Sequence, residues 1–480
     1  MRKLAFLLVA VTALALPPAA ARAQSAARVD IVRHDAEQRV DVLVDGVPFT
    51  SYIWPSEIKK PVLYPIRAAS GAIVTRGFPL APRPGEHVDH PHQVGMWLTH
   101  EDVNGLDFWN NSTAIPAERA PKMGTIVQRA IRGVRSGAGS GTLDVTTEWV
   151  DFRGHALLRE DTRFVFGAAV GRRTIDRLTT LTALGDTVRF TDQKDGFFGM
   201  RVARALEQPA THPEVSIDAS GHATTAPVLD NSGVTGHYRS SEGLAGDSVW
   251  GTRARWVTLE GDVDGKPVTL AILDHPRNPG SPAYWHARGY GLFAANPLGA
   301  RIFSQGKDSL DLRLAPGQST TFRYRVLILD AHSTPEQIER EYRRWATGDG
   351  RWAMGDGRWA MGDGRRALSV ELLPFHAPRA TRHAPRATRH APRATRYAPR
   401  ATRDNDFRDA SVYLSSPRER LIHASGMVGR PATGRRIRLA SGAPSAGRHH
   451  HSAPHLRPRY RREHRHVQRR PGRSPAPPSV

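Results

Sequence analysis

Apolar and polar residues alternate with a period of two over long stretches of the first 330 positions, the pattern of half-buried β-strands. From Arg39 to Ile53 the run R-V-D-V-L-V-D-G-V-P-F-T-S-Y-I alternates on both sides of Asp45-Gly46, a dipeptide suited to a type I′ hairpin turn. The same signal recurs at 142–150, where Leu143, Val145, Thr147 and Trp149 share a face. It appears again at 268–273 after the Asp264-Gly265 turn, and at 320–329, where Phe322, Tyr324, Val326 and Ile328 form one face. A single helix is predicted after the strands. Thr334 serves as its N-cap, Pro335 opens the first turn, Gln337 completes a capping box, and Ile338, Tyr342 and Trp345 fall on one stripe. The pattern predicts one antiparallel all-β domain with a short C-terminal helix laid over it.

The two ends of the chain depart from this pattern. Residues 1–23 read as a signal peptide: Arg2 and Lys3, an apolar run from Leu4 to Leu16, and the small-residue end Ala21-Arg22-Ala23. A periplasmic or secreted protein with no membrane span after cleavage is expected, since the apolar run falls short of the roughly 20 residues that spanning needs. The chain has no cysteine, so an exported domain would rest on its core rather than on disulfides. Beyond the predicted helix, residues 344–364 repeat R-W-A-[TM]-G-D-G and residues 376–403 repeat [HY]-A-P-R-A-T-R. Both back-translate to tandem seven-nucleotide units read through three frames, and neither keeps the two apolar seams of a coiled coil. Residues 347–480 hold 28 arginines, no lysine and nine acidic residues, so most of the formal charge of +22 lies there. An Arg/Pro/His-rich segment without apolar periodicity is expected to be disordered from about 351 to 480, and export argues against nucleic acid as its partner. The domain is therefore expected at 24–350.

Chemistry concentrates in one stretch. Between Glu86 and Ser112 lie four of the 22 histidines, His87, His90, His92 and His100, together with Asp89, Glu101, Asp102 and Asp107. On an extended segment His90 and His92 would project to one side, with Pro91 marking a strand end. Three readings of the cluster stand: acid/base or sugar contact, a divalent metal at His90 and His92, or a purely structural set of hydrogen bonds.

The run D-H-P-H-Q-V-G-M-W at 89–97 with E-D-V-N-G-L-D-F-W-N-N-S at 101–112 resembles the PmoA-like family, often labelled "methane oxygenase PmoA". The resemblance extends to Q-K-D-G-F-F-G-M-R-V-A at 193–203, Y-R-S-S-E-G at 238–243, V-W-G-T-R at 249–253, D-H-P-R-N-P at 274–279 and Y-W-H-A-R-G-Y-G-L-F-A-A-N-P-L-G at 284–299. It implies a galactose-mutarotase-like β-supersandwich in an exported bacterial protein that acts on carbohydrate. The label's membrane oxygenase does not transfer, because a bundle of membrane helices needs apolar runs that this chain lacks.

On these grounds the expected catalytic residues are His90, His92, Asp192, Lys194, His275 and His286, with His87, His100, Asn104, Asp107 and Trp285 as ligand contacts. A small-molecule or oligosaccharide ligand is expected, with aromatic faces stacking on a pyranose while polar groups bond its edge. The functions that fit are a hydrolase, lyase or epimerase working by histidine and carboxylate, a non-catalytic glycan-binding module, or a metal-dependent oxidoreductase as the family label implies.

Overall fold

A computed structural model describes residues 26–348 and the two-residue strands Met354–Gly355 and Arg358–Trp359. The expected signal peptide and, apart from those two strands, the expected tail lie outside the described residues. The two strands pair antiparallel within the R-W-A-[TM]-G-D-G repeats at 344–364, where no strand is expected.

Two antiparallel sheets make the supersandwich. The nine-stranded sheet runs in the spatial order Tyr284–Arg288, Leu292–Asn296, Gly196–Arg201, Met96–His100, Val62–Leu63, Val47–Ile53, Arg39–Val44, Arg28–His34, Gly137–Ala138. The eight-stranded sheet runs His237–Ser240, Trp256–Val263, Lys266–Asp274, Ser319–Leu329, Arg172–Ala183, Ala156–Ala169, Ser140–Val150, Thr125–Arg135. The alternation seen in the sequence decides which face goes in. Leu143, Val145 and Trp149, like Phe322, Tyr324, Val326 and Ile328, join Val40, Val42, Met96, Leu98, Phe198 and Phe293 in one core between the sheets. No helix among the described residues is long and apolar enough to cross a membrane.

Local signals act where expected. Asp45 and Gly46 take φ of 50° and 78°, the left-handed pair that a type I′ turn requires, and the flanking strands pair with one register slip between Val42 and Leu43. The helix Pro335–Ala346 is capped on both sides of its box: Thr334 accepts from the Gln337 N–H, and the Gln337 side chain accepts from the Thr334 N–H at 2.8 Å. Its buried stripe Ile338, Tyr342 and Trp345 packs on Trp256, Ala271, Leu273 and Leu327, covering the far face of the eight-stranded sheet. That leaves the far face of the nine-stranded sheet, which loops cover, for the histidine-rich segment.

Candidate functional site

The floor of the site is the end of the nine-stranded sheet away from the core. Along Met96–His100, residues Met96 and Leu98 point into the sandwich while Trp97 points out. In register with Trp97 lie Gly199, Ala294 and His286 on the three neighbouring strands. A Cβ at Gly199 would lie only 3.2–3.3 Å from Ala294, Trp109 and Trp97, so glycine lets the two tryptophan rings, 5.2 Å apart, lie against the sheet.

One pole forms at the Met96/Arg201 end. His90 and His92 do not lie on an extended segment. His90 takes φ of 41°, its carbonyl accepts from the Gln93 N–H at 2.9 Å, and Pro91 sits second in the resulting turn, where its fixed φ is favoured. The turn still brings the rings together, with centroids 5.6 Å apart. His90 Nδ1 lies 2.7 Å from Asp89 Oδ2, and its ring stacks on Tyr290 at 5.0 Å and 5°. Tyr290 stands at the tip of the hairpin joining Tyr284–Arg288 to Leu292–Asn296.

Two wholly buried arginines lock this turn. Arg201 donates to both Asp89 oxygens at 2.9 and 3.1 Å and to Gln93 Oε1 at 2.7 Å. Arg76 donates to Asp89 and to the carbonyls of His87, His90 and Gln93. Burial works to raise the Asp89 carboxyl, but Arg201 and Arg76 overcome it and hold it well below the ordinary carboxylate range. Deeper in, His87 Nδ1 lies 3.3 Å from Glu207 Oε2; burial lowers the imidazole and pushes Glu207 up to about 8. His92 is buried with Nε2 unpartnered, and burial holds it well below the ordinary histidine range. Its carbonyl accepts from the buried Lys60 Nζ at 2.7 Å, and burial brings that ammonium down to about 7.

The other pole, at the His100/Gly196 end, is carboxylic. Asp195 Oδ1 lies 3.4 Å from His286 Nδ1, and Asp195 Oδ2 accepts from Lys194 Nζ at 2.8 Å. Burial lowers His286 to about 4. Glu101 is raised to about 7 by burial and then by the charge of Asp195. Asp107 is likewise raised by burial, while its oxygens accept from the N–H groups of Trp109 and Asn110 and shape that turn.

The structure therefore brings His87, His90 and His92 to one pole and Lys194, His286 and Asp107 to the other, and places the remaining expected residues elsewhere. Asp192 is buried with its carboxylate accepting from the N–H groups of Arg301, Leu310 and Asp311, so its role is to tie a loop. Trp285 points into the core and donates to the Ala254 carbonyl, because its register neighbours on that face are Ala295 and Phe198. His100 also points inward and contacts the Thr191 carbonyl at 2.7 Å. His275 packs against Trp345 of the terminal helix. Asn104, with φ of 53°, bridges Thr187 and Arg189 and lines a separate open cleft of about 220 Å³ with Asp151, Phe152 and His155. Among the described residues, no group of three or more histidine, aspartate or glutamate side chains is arranged to hold a metal ion.

Sequence reasoning misses Arg76, Arg201, Lys60, Glu207 and Tyr290 as parts of the site. Arg201 and Tyr290 do stand inside the motifs at 193–203 and 284–299, but nothing local marks an arginine that will be wholly buried.

The model of a family described as "Family of unknown function (DUF6807)" matches residues 39–343. No curated protein matches the chain. Among solved structures it is similar to the GH36 alpha-galactosidase AgaB from Geobacillus stearothermophilus, at 10% identity and a TM-score of 0.27 over 63% of this chain and 41% of that one. It is also similar to Slr1438 from Synechocystis, at 10% identity and a TM-score of 0.22 over 63% of this chain and 96% of that one. A third is a galactose mutarotase related enzyme from Lactobacillus acidophilus, at 10% identity and a TM-score of 0.22, covering 64% of this chain and 98% of that one. The chain thus spans less than half the length of the alpha-galactosidase.

Proposed function

We propose, for a chain that belongs to the DUF6807 family of unknown function, an exported enzyme that acts on a carbohydrate by proton transfer between histidine and carboxyl groups. The observation that carries this reading is the His90–Asp89 pair seated on Tyr290. With Nδ1 committed to Asp89, Nε2 is the nitrogen left to exchange a proton with a ligand. The His90 side chain is 41% exposed, so a ligand can reach it. Arg76 and Arg201 keep Asp89 ionised and fixed, which holds the imidazole in one orientation.

A complementary acid stands at the other pole. Glu101, near 7, carries its proton in a large fraction of molecules at neutral pH, where a free glutamate would not. Trp97 and Trp109 are buried against the sheet between the poles, and the partly exposed ring is Tyr290, a face of the kind on which a sugar ring rests. Hydrolysis, elimination and epimerisation each use a base and an acid. The resemblance to the PmoA-like family and the signal-peptide pattern belong to the same reading.

The test is to incubate the purified chain with neutral and acidic oligosaccharides and follow products by mass spectrometry and NMR. His90→Asn is expected to lower turnover by about 10²- to 10⁴-fold with an unchanged melting temperature. Full turnover in that variant would defeat the assignment, and binding without turnover in the wild type would leave a glycan-binding module in its place.

A further inference from the structure

The segment 208–235, between the short turn Arg204–Leu206 and the strand His237–Ser240, comes back to the His90 pole. Its extended part pairs with the stretch that leads into the His90 turn. His87 bridges Ser216 antiparallel, and the N–H groups of Val88 and Ile217 donate to the carbonyls of Val215 and Glu86, each at 2.8 Å. One step further in that register, Glu214 falls opposite Asp89. Opposed residues of an antiparallel pair share a face, as do residues two apart on one strand. Glu214 therefore projects to the side of His87 and Asp89, where the site lies. Its electrostatics agree with that place: burial and then the Asp89 charge raise the carboxyl, while His212 and His90 work to lower it.

The fold fixes Glu214 through its backbone and leaves its side chain open. Glu214 and Val228 exchange N–H to carbonyl bonds at 3.1 and 2.9 Å, and Arg204 pins the far end of the segment through Asp230 at 2.9 Å. Glu214 is exposed, as is the imidazole of His90, so one ligand can meet both.

The cations of this pole lie behind them. Arg76 and Arg201 are wholly buried and donate to Asp89, to Gln93 and to carbonyls of the His90 turn. Lys60 is buried on the His92 carbonyl and Arg204 is taken up by Asp230. Arg288 has a partner within the fold, and Asp247 stands beside Gly289 at the same hairpin tip. At the other pole Lys194 is tied to Asp195, whose charge acts on Glu101. Carboxylate oxygens accept from hydroxyl groups and repel a second carboxylate brought beside them.

Resting on the reading of this site as a carbohydrate site, we propose that Glu214 sets its specificity: its carboxylate accepts from the hydroxyls of an uncharged sugar held against His90 and turns away a sugar that carries a carboxylate of its own.

Competition binding on the full chain tests this. Residues 347–480 hold 28 arginines that can collect anions, so binding is read as displacement of a fluorescently labelled neutral oligomer, which reports on the site alone. The competitors are galactose and glucose oligomers, and galacturonic and glucuronic acid oligomers of equal length. A neutral competitor is expected to displace the label at about tenfold lower concentration than its acidic counterpart. Glu214→Gln should keep neutral binding, since an amide oxygen still accepts, and bring that ratio close to one; Glu214→Lys should invert it. Acidic oligomers that displace the label as well as neutral ones do, or that alone bind by calorimetry, would overturn the selection and leave the carbohydrate reading standing. A ratio unchanged in Glu214→Gln, with Glu214→Lys deciding should the glutamine variant not fold, would overturn the role of Glu214. If the label does not bind and calorimetry finds no oligomer bound to the folded protein, both readings fall together.

Discussion

The imidazole of His90 lies flat on the phenol of Tyr290, with ring centroids 5.0 Å apart and planes within 5° of parallel. The same phenol receives Arg201, whose guanidinium carbon is 4.7 Å from its ring centre, so one aromatic ring backs both the histidine and the cation that fixes its carboxylate. Burial pushes the Tyr290 hydroxyl up to about 12, so it stays protonated at any working pH and its contribution is the ring. Tyr290→Phe should therefore keep turnover within about twofold. Tyr290→Ala should lose the stack, worth about 0.5–1.5 kcal/mol, and lower turnover roughly 2- to 10-fold. Equal losses in the two variants would assign the role to the hydroxyl instead.

Stability should carry two opposed pH slopes from the same pole. Glu207 is raised by burial to about 8 from an ordinary 4.5, so between those values the folded chain holds a proton that the unfolded chain has released, and stability falls as pH rises. Lys60 is lowered by burial to about 7 from 10.5, so there the unfolded chain binds the extra proton and stability rises with pH. Denaturant melts from pH 5 to 10 should show Glu207→Gln removing the falling limb and Lys60→Met removing the rising one. Parallel curves for wild type and both variants would mean that neither group is buried as described.

How much of this is legible in the sequence depends on how local each cause is. Asp45-Gly46 and Thr334-x-x-Gln337 act over a few residues, so the hairpin and the capped helix can be read directly. Period-two alternation likewise marks Leu143, Val145, Thr147 and Trp149 as a buried face. The site is assembled from afar. Asp89 is held by Arg201, 112 residues along the chain, and no local pattern announces that pairing. Trp285 and His286 are adjacent in the sequence and point to opposite faces, core and site, because Trp285 pairs with Ala295 and His286 with Ala294. Only strand register settles which is which. Density of histidine finds the right loop but cannot separate His90, which is open, from His100, which is core.

The far pole should govern the alkaline side of activity. Glu101 stands near 7 through burial and the nearby Asp195 charge, and as a proton donor it works only while protonated. Turnover should then fall as pH rises through about 7. Glu101→Gln should remove that limb together with most of the activity, whereas Asp195→Asn, by removing a repelling charge, should move the limb to lower pH. A limb that stays in place in the folded Asp195→Asn variant would exclude Glu101 as the donor.

His92 and His90 are two positions apart with rings 5.6 Å from each other, yet they should behave differently when changed. His92 is buried, stays neutral because burial holds it well below the ordinary histidine range, and leaves Nε2 without a partner. Truncation in His92→Ala should cost about 1–3 kcal/mol, mainly through the packing lost around a buried ring. His92→Leu fills much of that space and removes an orphaned nitrogen, so it should cost less than about 1 kcal/mol and leave turnover by the folded protein intact. His90→Ala should do the reverse, abolishing turnover while costing no more than the Tyr290 stack, about 0.5–1.5 kcal/mol, since the ring is otherwise exposed. If the pair instead holds a metal, His92→Leu and His90→Ala should each release it from the purified protein, and a chelator should reproduce both losses. Melting temperature, metal content and turnover on these variants separate the cases. Loss of turnover in a stable, metal-free His92→Leu would place His92 against the ligand and overturn the structural role argued for it.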